Sequence, residues 1–129
     1  MRTINAVVMT ILLASLTACG GGYGSSTGSG GGDGSAAGSV RVGPNIAFVS
    51  RHTGKVPALD TIAVGATATW TWTGGLAHSV RSIGTPAFAS SGTKTGSGTY
   101  SVQFNTAGTY RYDCTEHGAA MSGTVVVLP

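Results

Sequence analysis

The segment from Cys114 to Met121 brings three side chains with metal-binding chemistry into eight residues. Cys114 offers a thiolate, His117 an imidazole and Met121 a thioether. A fourth candidate, His78, lies 36 residues upstream of Cys114. Thiolate and thioether are soft donors suited to Cu(I), and imidazole binds copper in both oxidation states. The set predicts a site with two His and one Cys in a plane and a long axial Met, the geometry of electron-transfer copper.

Other metals fit these residues less well, and each residue also has an interpretation without metal. Zinc usually takes a fourth hard or thiolate ligand, and iron–sulfur clusters need more Cys than the two present. Taken singly, Cys114 is as compatible with core packing, and His78 with a surface position, as with a ligand role. Met121 alone would more often fill the core, and His117 alone would usually be solvated. The hypothesis of a metal site therefore rests on the occurrence of all four residues together, which is less expected by chance than any one of them.

The composition excludes several classes of function. The chain has 129 residues, with 7 Lys+Arg, 4 Asp+Glu and a net charge of +3. Charged residues are 9% of the chain, against about 25% in an ordinary globular protein. A polybasic nucleic-acid binder and a charged disordered tail are excluded, so no nucleic-acid partner is expected. With 4 Asp+Glu, the chain also has few carboxylate side chains that could act in catalysis.

The elements that must position the candidate ligands are predicted to be β-strands. From Val40 to Leu128 apolar residues alternate with polar ones, as in the Thr-rich run that contains Trp70 and Trp72, and Gly-marked turns recur about every ten residues. This pattern predicts an all-β protein with a β-sandwich, and Trp70, Trp72 and Phe104 as core anchors. Cys114 ends one strand, and the last strand is predicted to begin near Ser122. The ligands from Cys114 to Met121 are therefore expected on one short loop, and His78 at the same end of the sandwich.

The N-terminus is predicted to be a targeting signal, over residues 1–18. A positive start is followed by an apolar stretch of about 13 residues, which has the size of a signal-peptide core and is too short to span a bilayer. It ends in Leu-Thr-Ala-Cys19, which resembles a bacterial lipobox; the resemblance implies cleavage before Cys19 and acylation of that residue. We expect a lipid anchor in the bacterial periplasmic space, with the outer membrane slightly favoured over the cell surface or another membrane.

Residues 19–39 are predicted to form a flexible tether between the lipidated Cys19 and a domain over residues 40–129. Ten of the 20 residues from Gly20 to Ser39 are Gly and five are Ser. Such a segment buries too little apolar surface to offset its ordering entropy. With Cys19 acylated, Cys114 has no disulfide partner, and it is then either a small buried hydrophobe or a metal ligand.

The chain from Val40 to Leu128 resembles the cupredoxins, and within them the bacterial plastocyanin- and amicyanin-like blue copper proteins. The likeness is carried by the Cys-x-x-His-x-x-x-Met segment, by Gly-Thr-Tyr-x-Tyr before it, by Ser-Gly-Thr-Val-Val-Val after it, and by an upstream His-Ser-Val. It implies one type 1 copper per chain, bound by His78, Cys114, His117 and, axially, Met121. It also implies an all-β, Greek-key β-sandwich fold and a one-electron Cu(II)/Cu(I) cycle, with electrons entering near the exposed edge of His117.

Two departures from the family pattern concern the ligand segment. Glu116 stands where relatives often have Pro and should favour Cu(II), and the spacing of His117 and Met121 lies between those of better-known relatives. Where the family often has Asn after the first His, this chain has Ser79, which could support the site through a hydrogen bond to Thr115. Gly118, Ala119 and Ala120 are either a docking surface for a redox partner or simply a tight loop.

Two other functions remain as alternatives to a blue copper electron carrier, and a third, an enzyme, is excluded. An enzyme is not expected, because His52 is the one further His and no second copper motif is present; His52 itself fits a solvated loop. A periplasmic copper carrier or storage protein would expose Met- and His-rich tracts. A metal-free β-sandwich interaction module would make Cys114 a core residue. We expect a monomer with weak and transient redox partner proteins.

Overall fold

The computed structural model describes residues 36–129, so the predicted leader, Cys19 and most of the tether lie outside the described residues. The described part consists of strands and connecting turns, without a helix. The strands are β1 (Ser39–Val42), β2 (Phe48–Ser50), β3 (Ala58–Ala63), β4 (Thr67–His78), β5 (Arg81–Ile83), β6 (Lys94–Gln103), β7 (Gly108–Cys114) and β8 (Gly118–Leu128).

The strands form two mixed four-stranded sheets, in the orders β2-β1-β4-β6 and β3-β8-β7-β5. Strand β1 runs parallel to β4, and β3 runs parallel to β8, whereas the other pairs are antiparallel. The predicted β-sandwich is confirmed. No helix within residues 36–129 is long and apolar enough to cross a membrane.

The core lies between the sheets and is filled by the inward residues of the alternating strands. Trp70 is fully buried, and Trp72 and Phe104 are 2% exposed, as predicted. The edge of the Trp70 ring packs against Tyr112 of the opposite sheet, with centroids 5.2 Å apart. Burial of a large apolar side chain contributes about 1.5–3 kcal/mol. These side chains therefore hold together the two sheets that carry the candidate ligands.

The structure differs from the sequence-based prediction at the start of the last strand. Strand β8 begins at Gly118, four residues before the predicted start near Ser122. Gly118 takes a positive φ of 53° and pairs with Cys114, with a register irregularity between Asp113 and Cys114. A glycine tolerates this conformation because it has no Cβ, so the chain reverses within Thr115–His117. The expected loop is therefore a tight turn, and Met121 lies inside a strand.

Two further strand segments were missed by the sequence analysis. Strand β5 has three residues, and the first half of β6 (94–99) is composed mainly of Lys, Thr, Gly and Ser. Neither has the apolar alternation that marks a strand half-buried in a core. Both form through pairing with a longer neighbour, β5 with β7 and β6 with β4. Strand β5 is the more important here because it is the next strand after His78.

Candidate metal centre

The candidate ligands converge where β4, β7 and β8 meet at one end of the sandwich. His78 is the last residue of β4, Cys114 is the last residue of β7, and His117 immediately precedes β8. One nitrogen of each imidazole and the Cys114 Sγ all lie within 4.8 Å of one another. Among the His, Cys, Asp and Glu side chains of residues 36–129, these three are close enough together to share a metal ion.

The nitrogens that face the sulfur are of the same kind in both histidines. The Nδ1 atoms of His78 and His117 lie 3.8 Å and 3.4 Å from the Cys114 Sγ, and the ring centroids are 5.0 Å apart. Cys114 is a free, buried cysteine. Two nitrogens and a sulfur directed at a common point are the donor set of a trigonal copper site. The predicted convergence of these three residues is confirmed.

Met121 faces the interior of the sandwich at the same end. It is 1% exposed and heads the inward series of β8, which continues through Gly123 and Val125. Its neighbour Ser122 pairs with Asp113, the residue before Cys114. The thioether therefore comes from the strand next to the thiolate. Together with the group of His78, Cys114 and His117, the buried Met121 thioether makes a donor set whose chemistry fits copper.

Burial differs among the donors. His78 is 1% exposed and Cys114 fully buried, whereas His117 is partly exposed. Burial first, and then the nearby His117 charge, lower the pKa of His78 from its ordinary 6.5. His78 is therefore neutral near pH 7, as a metal-binding imidazole must be. The His117 ring is the part of the imidazole–thiolate set that reaches solvent.

Hydrogen bonds between the segments after β4 and β7 hold the ligands in place. The Ser79 hydroxyl donates to Thr115 Oγ1 over 2.9 Å and accepts from the Thr115 amide over 2.8 Å. The Ser79 amide donates to the Cys114 Sγ over 3.4 Å. The contact expected between Ser79 and Thr115 is present. Ser79 therefore donates its amide to the Cys114 sulfur while its hydroxyl is held by two atoms of Thr115.

Two supports of His78 had no recognisable signal in the sequence. The Trp72 indole donates to the His78 carbonyl oxygen over 3.1 Å, which fixes the end of β4. Gly43 takes a φ of 78° and lies beside the imidazole, so that a Cβ there would be 3.5 Å from His78 Nε2. The identity of Gly43 suggests only a turn. Its position against a ligand ring depends on the path of the chain after β1.

The residues around His117 differ in exposure and contacts. Ala119 and Ala120 are exposed, and Gly118 is partly exposed. The Glu116 carboxylate accepts a hydrogen bond from the Thr93 hydroxyl over 3.0 Å, which ties the turn to the segment before β6. His52 lies in the turn after β2, outside the metal-binding group, and is exposed.

Comparison with known families supports the same assignment. The family model described as copper binding proteins, plastocyanin/azurin family, matches residues 56–128, more than half of the chain. The chain belongs to this family. It is therefore a cupredoxin, as its sequence motifs indicated, and the cofactor expected from the residues, copper, is the one that the family binds. No curated protein matches the chain significantly.

Solved cupredoxin structures resemble this one over most of its length. An oxidised amicyanin variant is 28% identical with a TM-score of 0.56, and a reduced amicyanin variant is 29% identical with a TM-score of 0.55. Each alignment covers 70% of this chain and 80% of the amicyanin chain. A purple cupredoxin from Nitrosopumilus maritimus has a TM-score of 0.57 at 24% identity, over 70% of this chain and 98% of that one, a likeness in fold alone. The family, the fold and the donor set together identify a type 1 copper electron carrier.

Proposed function

We propose that this cupredoxin exchanges single electrons with weakly docking proteins at the exposed edge of His117, while a lipid on Cys19 tethers it to a bacterial membrane. The observation that carries the proposal is the unequal burial of the ligand set: His78 and Cys114 are buried, and His117 reaches solvent. Bound copper would supply a one-electron change between Cu(II) and Cu(I). Members of this family are typically electron carriers rather than enzymes.

The chain's own residues would perform three tasks. His78, Cys114 and His117 would hold the metal through Nδ1, Sγ and Nδ1, and Met121 would add a weak thioether ligand. The pairing of Ser79 with Thr115 would keep the thiolate and the His78 ring at the same separation in both oxidation states, so that little rearrangement accompanies electron transfer. Burial of the Cys114 sulfur would exclude water and protect the thiolate from oxidation.

A small apolar surface beside His117 supports transient docking. Ala119 and Ala120 are exposed there and present little more than methyl groups, which a partner could approach closely. Encounters between electron-transfer proteins typically bury less than about 1,200 Å² and are weak. Gly118, Ala119 and Ala120 would thus form a contact surface around the edge of the ligand ring.

The site is tested by adding Cu(II) to the purified, reduced, metal-free protein in a Cys19→Ser background, which leaves Cys114 as its one thiol. We expect an intense blue thiolate-to-copper band that saturates at one equivalent, bleaches with ascorbate and returns with an oxidant. Cys114→Ser should lose the band and keep the fold, as judged by near-UV circular dichroism. A colourless titration by a well-folded protein would contradict the electron-carrier function and favour an interaction module.

The anchor is tested separately, in cells supplied with labelled palmitate. The label should enter the wild-type chain and remain absent from Cys19→Ser, because the lipobox-like sequence places the acylated group at Cys19. Equal labelling of the two forms would contradict the anchor and leave the copper site unaffected.

A further inference from the structure

A bidentate ion pair lies directly beside the ligand set. Arg81 donates from Nε to Asp113 Oδ1 and from Nη2 to Asp113 Oδ2, each over 2.8 Å. The Asp113 side chain is 7% exposed, and that of Arg81 is 44% exposed. Two parallel charge-assisted hydrogen bonds combine strength with a defined orientation, in contrast to an ordinary surface ion pair.

The positions of the two partners connect both ligand-bearing segments. Arg81 lies three residues after His78, and Asp113 lies immediately before Cys114. Their Cα atoms are register partners in the β5–β7 pairing, and β5 has only three residues with which to hold its place. The ion pair therefore joins the His78 segment to the thiolate strand on one side of Cys114. The Ser79–Thr115 contact joins the same segments on the other side.

We propose that Arg81 and Asp113 are positioning residues for the copper site, which hold the Cys114 strand and the His78 segment together and keep the Asp113 charge neutralised beside the thiolate. Arg81 and Asp113 hydrogen-bond to each other, so the pair acts through the backbone of β5 and β7 and through its field. The proposal rests on the copper-carrier function proposed above.

The direction of the electrostatic effect follows from burial. If Arg81 is replaced by a neutral residue, the Asp113 carboxylate is left nearly buried and uncompensated, one residue from the thiolate. An added negative charge at that position stabilises the more positive oxidation state of a bound metal and lowers its reduction potential. Arg81→Lys keeps the positive charge but loses the planar guanidinium fork. This variant therefore distinguishes the effect of the charge from the effect of the bidentate geometry.

Three variants in the Cys19→Ser background test the proposal: Arg81→Met, Arg81→Lys and, as the matched control, Arg111→Met. Arg111 is exposed on the same strand as Asp113, three residues before Cys114, and its loss changes the net charge equally. At the wild-type midpoint we expect the Cu(II)/Cu(I) ratio to rise about tenfold in Arg81→Met, which is about 59 mV for one electron. In Arg81→Lys and in the control it should stay within about threefold of wild type.

The positioning role is measured without copper. In the metal-free protein, we expect the β5 amides to exchange hydrogen at least about tenfold faster in both Arg81 variants than in wild type, because the short strand loses its anchor. The β3 amides, in the same sheet, should exchange as in wild type, and Arg111→Met should leave both strands unchanged. If Arg81→Met does not fold, Arg81→Lys carries this measurement.

The outcomes separate this proposal from the function on which it rests. Wild-type exchange of the β5 amides in both Arg81 variants, or an unshifted Cu(II)/Cu(I) ratio in Arg81→Met, would overturn the proposal. If the wild-type chain forms no blue site, the copper-carrier function fails, and the exchange measurement still decides whether Arg81 and Asp113 hold the two segments together.

Discussion

Replacing Ser79 with alanine removes the hydroxyl that joins the two ligand-bearing segments. Ser79 is 1% exposed, and its Oγ makes both hydrogen bonds to Thr115, at 2.8 and 2.9 Å. An intramolecular hydrogen bond contributes about 0.5–1.5 kcal/mol net, so the loss of two part-buried bonds costs about 1–3 kcal/mol. For Ser79→Ala we expect the free energy of unfolding of the metal-free protein to fall by about 2 kcal/mol.

The measurement is urea unfolding of the metal-free protein, followed by tryptophan fluorescence. Trp70 and Trp72 are buried between the sheets and report the loss of the core. Ser101→Ala is the matched control, because Ser101 too hydrogen-bonds to a threonine. The Ser101 hydroxyl lies 2.8 Å from that of Thr69, but on the exposed face of the β4–β6 pair. Because water replaces an exposed hydrogen bond, the control should lose less than about 0.5 kcal/mol.

The same variant also tests the role of Ser79 at the metal site. Loss of the Thr115 contact loosens the segment from which the Ser79 amide donates to the Cys114 sulfur. We expect Ser79→Ala to bind copper, with slower electron self-exchange because the ligands rearrange more between oxidation states. Equal destabilisation by Ser79→Ala and Ser101→Ala would refute the reasoning, since it would mean that burial of the Ser79–Thr115 contact adds nothing.

Two further changes test the core. A Cβ at Gly123 would lie 2.3 Å from the Cζ and Oη atoms of Tyr112, so Gly123→Ala forces a fully buried ring to shift. In urea melts we expect Gly123→Ala to lower the free energy of unfolding by about 1–3 kcal/mol. Stability equal to wild type would show that the ring moves freely. Burial is the largest influence on Asp60 and raises its pKa above 3.8, so the folded state favours the protonated form. This contribution to stability is fully present below pH 3.8 and is lost as the pH rises through the raised pKa of the folded protein. Asp60→Asn should therefore gain stability relative to wild type as the pH rises above 3.8 in parallel urea titrations, and a difference that stays constant with pH would contradict this.

The identity of the ligands could be predicted from the sequence because their chemistry is local. A thiolate, an imidazole and a thioether within eight residues, preceded by an alternating strand, restrict the metal and the fold class at once. In the structure Tyr110, Tyr112 and Cys114 are all buried as this alternation predicts, although Asp113 between the last two is buried as well. The start of β8 was less predictable, because Gly118 and two alanines have no strand preference and join the strand through the turn geometry.

The support around the site was decided by tertiary structure. Arg81 and Asp113 are 32 residues apart in the chain, and an Arg and an Asp in an alternating sequence carry no sign of their pairing. The contact between Arg81 and Asp113 forms only because β5 pairs with β7 in one register. In the same way, Gly43 lies beside His78 because of the turn that follows β1. The sequence alone determined the donor types, the strand periodicity and the family, since each depends on residue type and near-neighbour spacing. The convergence of four donors and the contacts that hold them were determined only by pairing between distant strands, whose register is set by the packing of the whole core.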